Sequence, residues 1–137
     1  MGAHVRRIDY FYTVVEDRPG EAYELLGHLS DAEVRLLAFS GLPLGMSKTQ
    51  LVVFPADTGR LQHVAALEGL ELTGPQHAFL ITSDDHLNSL LDLHRRLFLA
   101  GINVVCATGM ADETGRFGYI VYVRQEEYER AAEALTL

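Results

Sequence analysis

One cysteine, no tryptophan and four prolines stand in a chain of 137 residues. A single cysteine excludes an internal disulfide framework and points to an intracellular, cytoplasmic protein. Basic residues are scarce too, with 11 lysines and arginines against 19 aspartates and glutamates and a formal net charge of −8. That balance argues against a nucleic-acid partner, which calls for a basic face. No apolar run approaches the roughly 18–20 residues of a membrane span, and nothing suggests a membrane surface. The first residues, MGAHVRRID, lack the apolar core of a secretory signal. Nucleophile elbow, P-loop and dinucleotide fingerprint are all missing, so no enzyme is expected. None of the 6 histidines falls in a zinc spacing, and neither a metal nor a cofactor is expected.

What the chain does contain is itself, twice. Laid over itself at an offset of 68 positions, residues 10–42 fall without a gap on residues 78–110. Phe11 lands on Phe79, Asp17 on Asp85, Leu25 on Leu93, Leu29 on Leu97, Ala32 on Ala100, Gly41 on Gly109 and, further on, Val53 on Val121. Such a self-match means one supersecondary unit used twice. A lone unit of that size is marginal by itself, so the two copies are expected to pack as pseudo-twofold relatives with any site between them. A hydrophobic fraction of 48% supports that much core and excludes disorder.

Residues 8–15 are β-branched and aromatic and end at Glu16-Asp17-Arg18-Pro19-Gly20, which predicts a strand running into a helix start. Ala22, Leu25, Leu26 and Leu29 recur at helical spacing. Strands over 34–40 and 49–54, a helix over 57–68 and a strand over 70–73 complete a βαββαβ unit. The second copy gives a strand over 77–83, a helix over 85–99, strands over 102–108 and 117–124 and a helix over 126–135. Leu87, Leu90, Leu91, His94, Leu97 and Phe98 form the apolar stripe of its long helix. In the tail helix Tyr128, Ala131, Ala132 and Leu135 turn inward. The predicted fold is α+β: two ferredoxin-like repeats, residues 1–75 and 76–137, each an antiparallel sheet with helices on one face. The second repeat lacks or shortens its last strand. Residues 4–9, the other copy or another subunit must then cover the open edge. The apolar second face of the sheet also calls for a partner, so a homodimer is expected.

The run of strand, Asp17-Arg18-Pro19-Gly20, amphipathic helix and glycine-bearing hairpin resembles an ACT domain. Ala100-Gly101-Ile102-Asn103-Val104 is similar to the same family's helix end and second strand. Over residues 8–137 the chain therefore resembles a tandem ACT protein that is free-standing. The resemblance implies a small-molecule sensor, most often for amino acids, and an as yet unidentified regulated protein as partner. It also implies a ligand near the first strand-to-helix loop of one unit and the second strand of the other. A dimerisation or protein-docking module without a small ligand is the alternative.

Within the loop, Gly20 lets a ligand approach the backbone, and the helix start that follows presents unpaired N–H groups suited to a carboxylate. Asp17 suits an ammonium group, and Arg18 a second acidic function, unless Pro19-Gly20 merely starts the helix with Asp17 as its cap. Asn103, able to donate and accept, is the facing candidate; its counterpart in copy one is Arg35. Ser40-Gly41 and Thr108-Gly109 hold matching positions at the ends of the second strands, where they line the same cleft or simply make tight turns. Asp85-His86-Leu87-Asn88 replaces the proline and glycine in copy two, so one competent site is expected rather than two equal ones. His94 reads as a satisfied core histidine, Asp84-Asp85-His86 as a helix-start cap, and Cys106 as a buried structural thiol.

Overall fold

The computed structural model describes residues 3–84 and 90–137. The chain divides into two compact units, Asp9–Gln76 and a second made of Met1–Ile8 with His77–Leu137.

The Asp9–Gln76 unit takes most of strand β1 (His4–Glu16), helix α1 (Glu21–Asp31), β2 (Leu36–Leu44), β3 (Lys48–Pro55), α2 (Thr58–Glu68) and the beginning of β4 (Thr73–Ser83). β3 pairs antiparallel with β1 on one side and β2 on the other, and β4 neighbours β1. Phe11, Val53 and Phe39 lie opposite one another across three strands, as do Thr13, Leu51 and Gly41 two residues along. Residues directly opposite share a face. Phe11, Leu51 and Val53 make one core with Leu25 and Leu29 of α1 and Leu61 and Val64 of α2, which places both helices on that face. Val52 and Phe54, on the other face of β3, are buried as well, and Phe54 meets the Tyr10 ring at 5.4 Å.

The second unit repeats this plan. β4 pairs with β6 (Phe117–Tyr122), and β6 with β5 (Cys106–Ala111). Helix α3 (Leu90–Leu99), a 3-10 turn at Gln125–Glu127 and α4 (Tyr128–Ala134) complete it. Phe79 faces Val121, and Val121 faces Ala107. These pairings are the Phe11–Val53–Phe39 set moved by the sequence offset, so the self-match is kept residue by residue in the hydrogen-bond register. Leu93 and Leu97 take the buried places of Leu25 and Leu29. In each unit an arginine of the last helix ties down the end of the first helix. Arg60 Nη2 donates to Ala32 O at 2.6 Å, and Arg130 Nη2 to Ala100 O at 2.7 Å.

The missing last strand of the second repeat is supplied by the chain start. β1 neighbours β4 in the sheet, and its opening residues group with this unit. Val5 packs on the core of this unit. Arg7 lies over the Tyr128 ring at 5.4 Å and pairs with Glu129 at 2.8 Å.

Several local expectations change. Of the strand expected over 70–73 only Thr73 is extended, and it opens the same strand, β4, that covers 77–83, the chain passing through a cis Gly74–Pro75 bond on the way. The second strands start later than expected, β2 at Leu36 and β5 at Cys106, since the chain first climbs out of the preceding helix end. In α3 the buried stripe is Leu90, Leu93 and Leu97, while Leu91 and Phe98 are exposed. A spacing of three and four residues keeps to one side, and their neighbours in sequence turn away. Cys106 is exposed, not buried. It belongs to an edge strand whose six residues are all exposed, so an apolar sequence context did not translate into burial.

Candidate ligand-binding site

The β1–α1 loop is built by local bonds. Asp17 N–H donates to Ser47 O and Arg18 N–H to Glu16 O, both at 2.9 Å, while Glu16 and Lys48 pair at the mouth of the neighbouring hairpin. Gly20 is the N-cap of α1 with φ 95° and ψ −15°, and no side chain caps that helix start. A Cβ added at Gly20 would meet nothing within 4 Å. The first-turn N–H groups of α1 therefore begin at a residue whose positive φ favours glycine and whose outer side is open. Asp17 is not the cap. Its carboxylate instead faces Thr49, whose hydroxyl lies 3.5 Å away.

Arg18 differs from expectation in what it holds. Its Nε donates to Glu21 at 2.8 Å, and that bond with its charge raises the guanidinium pKa further. The arginine thus neutralises a glutamate of the first helical turn, which would otherwise repel an anion at the helix start. It acts on the loop's charge as much as on any ligand.

Gly41 lies opposite Leu51 on the helix side of the sheet, where a Cβ would come to 3.4 Å from Leu51 and 3.9 Å from Thr49. Asp17, Thr49 and Gly41 are therefore gathered around the start of β3. Ser40, opposite Val52, points to the other face. Thr49 was not singled out from the sequence. Only the hairpin register, which brings it beside Val15 and Pro43, gives it a place here.

Asn103, Thr108 and Gly109 belong to the second unit. Asn103 is exposed in the α3–β5 connection. Gly109 lies opposite Tyr119 on the helix side, and Thr108 opposite Ile120 on the other. Beside Gly109, His94 Nε2 and the Tyr119 hydroxyl share a hydrogen bond of 2.7 Å. Burial, with Cys106 nearby, raises the Tyr119 hydroxyl above its ordinary pKa, so it stays protonated at neutral pH. The equivalent pair in the first repeat is Leu26 and Leu51, so the two units offer different chemistry at matching places. Asp84 pairs with Arg116 at 3.2 Å, whereas Asp85, His86, Leu87 and Asn88 lie outside the described residues. Among the described residues no group of three or more His, Cys, Asp or Glu side chains is placed to hold a metal ion.

A cleft of about 260 Å³ opens elsewhere in the Asp9–Gln76 unit, lined by Glu33, Val34, Arg35, Ala56, Asp57 and Arg60. Its place is the C-terminal end of α1, whereas the Asp17–Gly20 loop is at the N-terminal end. The loop itself is open surface that a ligand would have to cover.

No family model matches this chain, and no curated protein matches it. Solved structures do. One from Bacteroides thetaiotaomicron aligns with a TM-score of 0.76 at 13% identity, over 98% of this chain and 88% of that one. The regulatory subunit of aspartate kinase from Thermus thermophilus, ligand-free, aligns at 0.63 and 18% identity over 99% and 96%. The Thermus flavus regulatory subunit gives 0.62 and 17% over 99% and 95%. At these identities the likeness is one of fold, and that fold is the ACT-like, ferredoxin-type repeat. No helix among the described residues is long and apolar enough to cross a membrane.

Proposed function

We propose that this chain is a cytoplasmic small-molecule sensor, without catalytic activity, whose ligand is an amino acid bound at the Asp17–Gly20 loop. The observation that carries the proposal is the start of α1: Gly20 in the left-handed region, no side-chain cap and open space above it. Donors so placed suit a carboxylate. Asp17, bound only weakly by Thr49, suits the ammonium group of the same molecule. The neighbours named as regulatory subunits of aspartate kinase support a regulatory role by analogy of fold. By the same analogy the partner is a protein whose activity this chain regulates.

Calorimetric titration of amino acids into the wild type, Gly20→Val and Asp17→Asn tests the proposal. Saturable heat in the wild type, lost in both variants while their circular dichroism is unchanged, is the expected result. Asp17→Asn keeps the size of the side chain and guards against a variant that simply fails to fold. Binding that survives both changes would refute the loop as the site.

A second proposal, a dimerisation or docking module, draws on β5. This edge strand carries no charge and is exposed throughout, with Met110 at 78% and Val105 beside it at 56%. Bare edges of that kind invite strand addition. Light scattering across a concentration series decides it, since a chain that stays monomeric leaves β5 without the second copy this proposal needs.

A further inference from the structure

Each unit has an outer strand, β2 in the first and β5 in the second, and the two are guarded differently. β2 slips register between Leu36 and Ala38 and carries Pro43, features that keep another strand from pairing with an open edge. β5 pairs with β6 in unbroken register from Cys106 to Ala111 and has neither a proline nor a charge. On its other side it has no neighbour among the described residues. The backbone groups that face away from β6 are therefore open to a further strand.

Above that edge lies a vacancy that the repeat makes visible. Phe39 of β2, opposite Val53, packs on the core of its unit, whereas its counterpart Ala107, opposite Val121, is exposed. Gly109 and Ala111 follow on the same side, so β5 shows only small residues to the helix side. Helix α3 does not replace the missing ring. Leu91 and Phe98 stand three residues before and four after His94, on the side of α3 that His94 turns toward Tyr119. Both are exposed, Phe98 at 78%, and the first repeat has Tyr23 and Ser30 at their places. An apolar shelf thus runs between α3 and β5, one aromatic ring short of its counterpart. Arg95, on the same stripe between Leu91 and Phe98, is exposed and without an ion-pair partner among the described residues, whereas Arg96 pairs with Asp92 at 3.0 Å.

We propose that this shelf docks an extended segment of another protein, which adds to β5 as a further strand and lays an aromatic side chain over Ala107 and Gly109 against Phe98. Main-chain bonds to the bare edge hold the segment, and the ring takes the space that Phe39 fills in the first repeat. An aromatic residue across from an edge glycine covers backbone that the glycine leaves open. Arg95 adds a preference for a carboxylate near the ring. A second copy is a poor occupant. In a continuous sheet built from two β5 strands, helix-side residues meet helix-side residues, so the copy brings Ala107, Gly109 and Ala111 and no ring. His94 reaches Tyr119 beside Gly109, so a twofold through the middle of β5 also turns the two Arg95 side chains toward each other, like charge to like. The inference rests on reading β5 as a docking edge and replaces the second copy by a segment of different sequence.

The test is an amide-resolved NMR titration of the full chain with the end-capped peptide Lys-Thr-Val-Thr-Phe-Thr-Glu-Lys, whose Val, Phe and Glu share one face. Two further peptides carry Ala in place of Phe, or Lys in place of Glu. The phenylalanine peptide is expected to shift the amides of Ala107, Thr108, Gly109 and Met110 saturably. The alanine peptide should bind about tenfold more weakly, as the burial of one aromatic side chain requires. The lysine peptide should bind about threefold more weakly, a gap that added salt closes. Ala107→Phe and Phe98→Ser each install the first repeat's residue at an exposed place, so both stay folded. Ala107→Phe should weaken the phenylalanine peptide about tenfold by filling its place, and Phe98→Ser about fivefold. Equal binding of either control peptide at low salt, or unchanged affinity in both variants, would overturn the proposal. Amides of β5 that gain protection from hydrogen exchange as protein concentration rises would put a second copy on the edge, which overturns the proposal while the docking edge stands. Amides of β5 that exchange freely and do not shift with the phenylalanine peptide would overturn both.

Discussion

Replacing Glu33 by glycine should make the protein more stable, although it removes a charged side chain and adds no contact. Glu33 sits at φ 57°, and a residue with a Cβ is held there at a cost of about 1–2 kcal/mol. Glycine removes that strain but is freer in the unfolded chain, which returns about 0.5–1 kcal/mol. The net gain is about 0.5–1 kcal/mol, because the Glu33 side chain has no bond to lose among the described residues. The second repeat provides the reverse experiment. Gly101 has φ 73°, and a Cβ there would meet nothing within 4 Å, so Gly101→Ala tests backbone strain without a clash and should cost about 1 kcal/mol. Urea unfolding followed by circular dichroism reads both. The midpoint should rise for Glu33→Gly and fall for Gly101→Ala with the slope unchanged. A stability loss of 1 kcal/mol or more in Glu33→Gly would refute the strain argument.

Three further outcomes follow from the same structure. Gly74→Ala should destabilise by about 3 kcal/mol or more, since its Cβ would come within 2.7 Å of the Phe11 ring and 2.8 Å of Tyr10 O at φ 149°; thermal unfolding measures it. Tyr119→Phe should cost about 1 kcal/mol by leaving His94 without its partner, while His94→Leu with Tyr119→Leu, the pair found in the first repeat, should come close to neutral in a double-mutant cycle. The carboxyls of Glu16, held down by Lys48, Glu129, held down by Arg7, and Asp112, held down by Thr114, all titrate below their ordinary values. Their folded values lie under the unfolded ones, so the stability they lend is complete above the unfolded values and is lost as pH falls through the folded ones. Carboxyl NMR titration should find the Glu129 midpoint low in the wild type and restored in Arg7→Met.

The repeat made most of the fold legible. An offset that aligned Phe11 with Phe79 and Val53 with Val121 also fixed which residues would face each other across the sheet, because register follows the inward pattern. Less legible was anything that depended on strands distant in sequence. That residues 4–8 complete the second unit follows from the pairing of β1 with β4, for which the local sequence has no marker. Burial at the edges was misjudged for a related reason. Cys106 lies in an apolar run, but an edge strand has a neighbour on one side only. At the candidate site, the loop glycine and its role at the helix start were readable from Asp17-Arg18-Pro19-Gly20. The pairing of Arg18 with Glu21 at three residues' distance was readable in principle from helical spacing. Thr49 depended on hairpin register, and the charged cleft at Glu33 and Arg60 on two turns brought together by the fold.

The central claim is that this chain binds an amino acid at the start of α1. A thermal-shift panel of the twenty amino acids against the wild type and Gly20→Val tests it most directly, because a ligand of the folded state raises the melting point by mass action. The account predicts a dose-dependent rise for one chemical class of amino acid in the wild type and its loss in Gly20→Val. A melting point that stays flat across the panel, or a rise that Gly20→Val retains in full, would contradict it.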